Sequence, residues 1–248
     1  MPVALDPIAA YERIAPLYAR ISEERKSYLD GVDRLVIAEI PAQSRSLLDI
    51  GSGDGRRARR IAQARGITQL VLVEPAVAMQ AADGSAAGFR TLRAEELSSL
   101  SGEFDVITCL WNVLGHIFPA ASRTGVLREF ARLVSPGGRI FVDVQHRYNA
   151  RHYGLLPTAG RFLQDRLRWS ETNGDVSVNW DLERVRCTTR GHVFTNREFR
   201  SLAQGAGLKI SRPFVVDYAT GARVRWSFSG HLLYVMERIA LPSAQQTS

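Results

Sequence analysis

The stretch Ser46–Gly55, SLLDIGSGDG, decides the fold. An apolar run closes on Asp49 and gives way to glycines at every second position, Gly51, Gly53 and Gly55. The run reads as a buried strand and the glycines as a sharp turn into a helix. A residue without Cβ takes dihedrals closed to others and lets a ligand lie against the backbone. The dinucleotide fingerprint would need a glycine where this chain has Arg56, so the turn is built for something else.

Working outward, Arg56–Arg65 reads as a helix with Ala58, Ile61 and Ala62 packed and Arg56, Arg57, Arg59 and Arg60 on a solvated face. Gln69–Val73 is a second strand that ends on Glu74, at the edge where open α/β sheets place ligand contacts. A carboxylate there can accept hydrogen bonds from both vicinal hydroxyls of a ribose. A third strand is expected over Phe89–Arg93, and FDVITCL, Phe104–Leu110, reads as a central parallel strand because it is nearly all apolar. Arg123–Val134 is a helix stopped by SPGGR before a fifth strand, Ile140–Val144. Thr195 and Glu198 form a capping box for a helix over Asn196–Ala206, ended by Gly207. Leu208–Tyr218 and Gly230–Arg238 close the chain as antiparallel strands. Upstream, apolar positions between Pro7 and Glu39 recur at helical spacing, which predicts two helices.

This order of motifs, with VLVEP (Val71–Pro75), AEEL (Ala94–Leu97) and LVSPGGRIFVD (Leu133–Asp143), resembles the class I S-adenosylmethionine-dependent methyltransferase family. The resemblance spans roughly Tyr11 to Arg238 and implies a Rossmann-like α/β fold. Its mostly parallel seven-stranded sheet would have an antiparallel last strand, helices on both faces and a lid after the fifth strand. It also implies S-adenosyl-L-methionine as cofactor, held by Asp49, Gly51, Ser52 and Gly53 of the turn, by Glu74 and Pro75, and by Leu110, Trp111 and Asn112 after the fourth strand. Met79 would border the adenine or else pack in the core. The family's usual aspartate before AEEL is Arg93 here, which cannot accept the adenine amino proton, so that task passes to the backbone near Ala94 or to Glu95. In YERIAPLYAR, Tyr11, Tyr18 and Arg20 either touch the methionine end of the cofactor or form a packed face with a solvated arginine. CLWNVLGHI is similar to the glycine and sarcosine N-methyltransferase branch and puts His116 near the transferred methyl. His116 is the first candidate for a general base, against an orienting or packing role. Tyr148, His146 and His152 stand behind it.

From Gln145 to Val193 the alternation breaks down, and aromatic residues are interleaved with arginines. This segment reads as a substrate-binding lid, or as strands around Arg166–Trp169 and Val176–Arg186 that extend the sheet or pair with a second subunit. The expected division is therefore a helical cap over 1–45, a cofactor-binding core over 46–144 and 194–240, an insertion over 145–193 and a frayed tail over 241–248.

The 248 residues suit one domain with an elaboration, and 45% hydrophobic with 23% charged residues is ordinary for a soluble protein. The start of the chain lacks a basic stretch leading into an apolar core, so a cytoplasmic, non-membrane protein is expected. Two cysteines far apart, Cys109 and Cys187, offer neither a disulfide framework nor a metal site. A formal charge of +7 favours anionic partners without naming one. Three functions stay open: methyl transfer to nitrogen or oxygen of a small molecule, methylation of RNA through the basic insertion, and cofactor binding without catalysis.

Overall fold

The computed structural model describes residues 3–81, 88–182 and 185–239; the tail expected over 241–248 lies outside them. In chain order the elements are β1 (Val3–Ala4), α1 (Pro7–Ile14), α2 (Tyr18–Glu24), α3 (Lys26–Glu39), β2 (Ser46–Ile50), α4 (Arg56–Arg65), β3 (Gln69–Val73), α5 (Val77–Gln80), β4 (Phe89–Arg90) and β5 (Phe104–Cys109). They continue with α6 (Ala120–Leu133), β6 (Val134–Val144), α7 (Ala150–Tyr153), α8 (Leu155–Leu167), β7 (Asp175–Leu182), β8 (Val185–His192), α9 (Asn196–Gly205), β9 (Leu208–Val216), β10 (Arg223–Val224) and β11 (His231–Arg238).

The large sheet runs β10-β9-β11-β6-β5-β2-β3-β4. Strands β4, β3, β2, β5 and β6 are parallel, and β11 is antiparallel to both β6 and β9. The sheet is therefore the expected one with a two-residue edge strand, β10, added, making eight strands where seven were expected. Neighbouring residues on one strand face opposite sides. Leu48, Ile107 and Ile140 join α6 and α9 in one core, while Leu47, Val106 and Phe141 join α3 and α4 in the other. Burial on both faces is why these strands carry apolar runs and not alternation.

Several expectations shift. The cap has three α-helices, not two, because Pro16 sits in a tight 3-10 turn, Ala15–Leu17, that divides the first. The third strand shrinks to Phe89–Arg90: Thr91 bonds the Gln80 side chain, and Arg93 opens a 3-10 turn over Ala94–Ser99. Strand β6 begins at Val134, with SPGG bulged between the pairs Phe104–Val134 and Val106–Arg139. Arg166 and Leu167 end a helix, α8, instead of starting a strand. On the arginine face of α4, Arg56 and Arg60 are exposed, but Arg57 is corrected: its side chain is largely buried, with Nε 2.5 Å from the buried Asp33 of α3, which Arg60 Nη2 also reaches at 2.7 Å. Finally, β1 pairs with β8 and β8 with β7, so the amino-terminal cap and the insertion hairpin share one three-stranded sheet.

Candidate functional site

Strand β2 continues outward through β3 on one side, while β5 and β6 lie on the other, so the connections reverse between β2 and β5. A crevice forms at such a point, beyond the carboxyl ends of the strands. Gly51, Gly53 and Gly55 all have positive φ, +70°, +57° and +76°. A Cβ on Gly53 would stand 3.0 Å from Tyr18 Oη and 3.3 Å from Met79 Cε, so its absence keeps the floor of the crevice open.

Above the turn lies a cavity of about 340 Å³, a size suited to small ligands. It is lined by Tyr11, Tyr18, Gly51, Gly53, Glu74, Pro75 and Met79, and across from them by Ala94, Glu95, Leu110, Trp111 and His116. Glu74 is buried, and its two oxygens accept from Gly53 N and Ala76 N, each at 2.9 Å. Each carboxylate oxygen keeps a second lone pair for a ligand. Burial pushes the Glu74 carboxyl up to about 7, against the pull of those two N–H donors.

Beyond β5 the chain takes an unusual path: Trp111 and Asn112 have φ +64° and +60°, positions that non-glycine residues seldom occupy. Three bonds hold them. Asn112 N donates to Asp143 Oδ1 at 3.0 Å, its Oδ1 accepts from Gln145 N at 3.0 Å, and its Nδ2 donates to the His192 carbonyl at 3.2 Å. Trp111 is thereby set beside Tyr18, with ring centroids 5.7 Å apart. His116 closes the 3-10 turn Val113–His116. Its Nδ1 lies 3.1 Å from the Arg190 carbonyl, which can only accept, so Nδ1 carries the proton and Nε2 the lone pair. Nε2 faces the Tyr11 hydroxyl at 3.4 Å. Burial lowers the imidazole's pKa, only partly offset by the bond to Arg190, and so favours its neutral form.

The remaining candidates sit elsewhere. Asp49 and Ser52 line a second, smaller cleft that shares Tyr18, Gly51, Leu110 and Trp111 with the first. Asp49 Oδ1 accepts from Thr108 Oγ1 at 2.6 Å, and burial raises its carboxyl to about 6. Asn112 is a buried brace and not part of the cavity wall. Arg20 is exposed, 3.7 Å from Glu24, and does not reach the cavity. Tyr148 donates to Asp165 Oδ2 at 2.6 Å, His146 Nδ1 donates to the Ser227 carbonyl at 2.8 Å, and His152 packs against Tyr153, Tyr218 and His231. None of these three lines the cavity: Tyr148 is turned toward Asp165 within the insertion, while His146 and His152 are turned toward Ser227, Tyr218 and His231 near the end of the chain. In their place the cavity gains Ile8, Ile117, Phe118, Arg93 and Arg190. Ile117 and Phe118 follow directly on WNVLGH and were within reach of the sequence; Arg190 arrives through β8 with no local signal.

A family described as "Methyltransferase domain" matches residues 18–212, which holds the glycine turn, Glu74 and His116. The chain belongs to this family. Among its relatives is the ubiquinone biosynthesis O-methyltransferase of Pseudomonas aeruginosa, 36% identical over 110 residues, or 42% of this chain and 45% of the relative. The chain thus spans less than half the length of that relative. The protein of the same name from Aeromonas salmonicida is 31% identical over 180 residues, covering 65% of this chain and 70% of the relative. Among solved structures, the CcbJ methyltransferase from Streptomyces caelestis shares the fold, with TM-score 0.62 and 16% identity over 85% of this chain and 90% of that one. This methyltransferase-domain chain is of the class I type, and its cavity fits S-adenosylmethionine. A Cβ-free floor at Gly53, spare carboxylate lone pairs on Glu74 and aromatic walls from Tyr18 and Trp111 match a nucleoside joined to an amino acid. No helix among the described residues is long and apolar enough to cross a membrane.

Proposed function

We propose that this chain transfers a methyl group from S-adenosylmethionine to a hydroxyl oxygen of a small molecule. The observation that carries the reading is a single cavity lined by both the Glu74 carboxylate and a histidine whose proton position is fixed. Glu74 would take the ribose hydroxyls, the backbone of Gly51 and Gly53 the body of the cofactor, and Met79, Ala94 and Glu95 the adenine. When bound, the cofactor supplies a methyl already electrophilic on a sulfonium. What the protein adds is position and a proton acceptor. Phe118, Ile117 and Ile8 present apolar surface to an acceptor, and His116 Nε2 takes the hydroxyl proton while the Arg190 carbonyl steadies the imidazolium through Nδ1–H.

The relatives' name, O-methyltransferase, supports oxygen over nitrogen as acceptor atom. A neutral histidine also supports it, since a hydroxyl must shed its proton to become a good nucleophile. RNA is the weaker acceptor on this reading: Arg147, Arg151 and Arg161 of the insertion are engaged with Asp165, Asp217 and Tyr153. Cys109 and Cys187 are both buried and unpaired, which supports the reducing cytoplasm as the site of action.

The test is calorimetric titration with S-adenosylhomocysteine, followed by incubation of the cofactor-loaded protein with paired phenols and amines of the same skeleton. Binding, with a methyl's mass gained by the phenols, is the expected result. A folded protein that binds nothing, or one that methylates only the amines, overturns the reading.

A further inference from the structure

Helix α8 carries its apolar side chains outward. Leu155, Leu156 and Leu167 are 78%, 86% and 71% exposed, and Phe162, Leu163 and Trp169 are each more than half exposed. The inward residues are polar: Thr158 and Asp165 are buried. The orientation is fixed by an ion pair at the helix's inner face. Arg147 donates to Asp165 through Nε at 2.7 Å and Nη2 at 3.0 Å, joined by Tyr148 Oη at 2.6 Å and Asn173 Nδ2 at 2.8 Å. With its polar face anchored, the helix cannot roll to hide its leucines. A second apolar pair, Trp226 and Phe228, stacks at 6.0 Å and is also more than half exposed. Helix α7 packs against both α8 and the Ser227–Ser229 turn, so the two patches are neighbours.

The fringe of this surface is positive. Arg166 and Arg168 are exposed at the end of α8, as are Arg223 and Arg225 beside Trp226. Between Arg151 and Trp169 the only acid is Asp165, and it is turned inward on Arg147. Exposed leucines and aromatic rings with exposed arginines beside them match the boundary of an anionic bilayer, where apolar side chains enter the acyl region and cations meet headgroups. A second copy of the chain would bring the same four arginines, Arg166, Arg168, Arg223 and Arg225, against one exposed acid, Glu171, two residues beyond Trp169. RNA could stack on the exposed rings but would leave Leu155, Leu156, Leu163 and Leu167 uncovered, since a nucleic acid offers no apolar chain to bury them.

We propose that the α8 face, with Trp226 and Phe228 beside it, docks this protein on the surface of an anionic lipid bilayer. The inference stands apart from the methyl-transfer reading. It makes the chain a protein that lies on a membrane without crossing one.

The experiment is flotation of the full chain with vesicles of phosphatidylcholine alone or mixed with phosphatidylglycerol, at low and high salt. The chain should float with the mixed vesicles, stay behind with phosphatidylcholine alone and be released by salt. Leu156→Glu with Leu163→Glu should cut partitioning roughly tenfold or more, while S-adenosylhomocysteine titration and circular dichroism report whether the variant is folded. As a check that needs no leucine variant, brominated lipid should quench the fluorescence of the wild type more than that of Trp169→Phe. Wild type that ignores anionic vesicles overturns the proposal, as does a folded leucine variant that floats unchanged. So does a wild-type dimer, seen by light scattering, that the leucine substitutions split and that does not float.

Discussion

Two buried carboxylates, one in the cleft and one in the insertion, face opposite fates. Glu74 takes two backbone N–H bonds, retains lone pairs toward a cavity, and burial raises it to about 7. Burial would raise Asp165 too, but bonds from Arg147, Tyr148 and Asn173 outweigh it and hold the carboxyl below its usual range. One carboxylate has capacity left for a ligand, and the other has spent it on its own chain. The same contrast separates their surroundings: Glu74 faces open space, whereas the polar side chains around Asp165 close on one another and leave the apolar side chains of α8 outside. A site is therefore recognised by unspent hydrogen-bonding capacity facing a cavity, more than by the presence of charged residues.

The largest test of that contrast is His116→Ala. If Nε2 gives up its 3.4 Å contact with the Tyr11 hydroxyl to take the acceptor's proton, turnover should fall by about 10²- to 10⁴-fold while affinity for S-adenosylhomocysteine holds. Full turnover in the folded variant would make His116 a packing residue. Next is Asp165→Leu, which leaves Arg147 buried without its partner and should cost about 3–5 kcal/mol in thermal or denaturant unfolding. Cofactor affinity should be unchanged, because Asp165 is not among the residues that line the cavity; a matching loss of affinity would erase the distinction between the regions.

Glu74→Gln should weaken S-adenosylhomocysteine binding by about 1–3 kcal/mol. The wild-type affinity should also climb several-fold between about pH 6 and pH 8 as Glu74 ionises, and the glutamine variant should flatten that slope. The signs for stability are opposite at the two carboxylates. The raised pKa of Glu74 means the empty folded state gives up stability as pH rises from the ordinary carboxylate range through about 7. The depressed pKa of Asp165 means its contribution is complete above the ordinary range and lost as pH falls through its own lower value. Smallest is Thr195→Ala. The Thr195 hydroxyl accepts from Glu198 N at 3.1 Å, and losing this cap of α9 should cost about 1 kcal/mol, seen as a few degrees in melting temperature.

Much of the cleft was readable because its requirements are local. Glycines at Gly51, Gly53 and Gly55 are demanded by positive φ, and Glu74 is fixed by its place at a strand end. Of the three residues singled out in the amino-terminal motif, Tyr11 and Tyr18 line the cavity and Arg20 does not, since helix α2 turns it toward Glu24. Asn112 and Tyr148 looked equally suited to chemistry in the sequence. Their side chains are taken up by Gln145, His192 and Asp165, partners that no spacing rule connects to them. Arg57 read as solvent-facing because the sequence does not show that Asp33 lies buried across from it.

The sequence by itself determined the sheet, the glycine turn and the capping of the last helix. Each rests on a backbone conformation or a periodicity that a few neighbouring residues impose. Only the tertiary structure decided which polar groups were consumed and which were left over. That meant Arg190 carrying its carbonyl to His116, Arg147 closing on Asp165, and α8 presenting its leucines to the outside. Hydrogen-bonding capacity is spent between residues far apart in the chain, so what remains for a ligand or a surface can be counted only after the chain has folded.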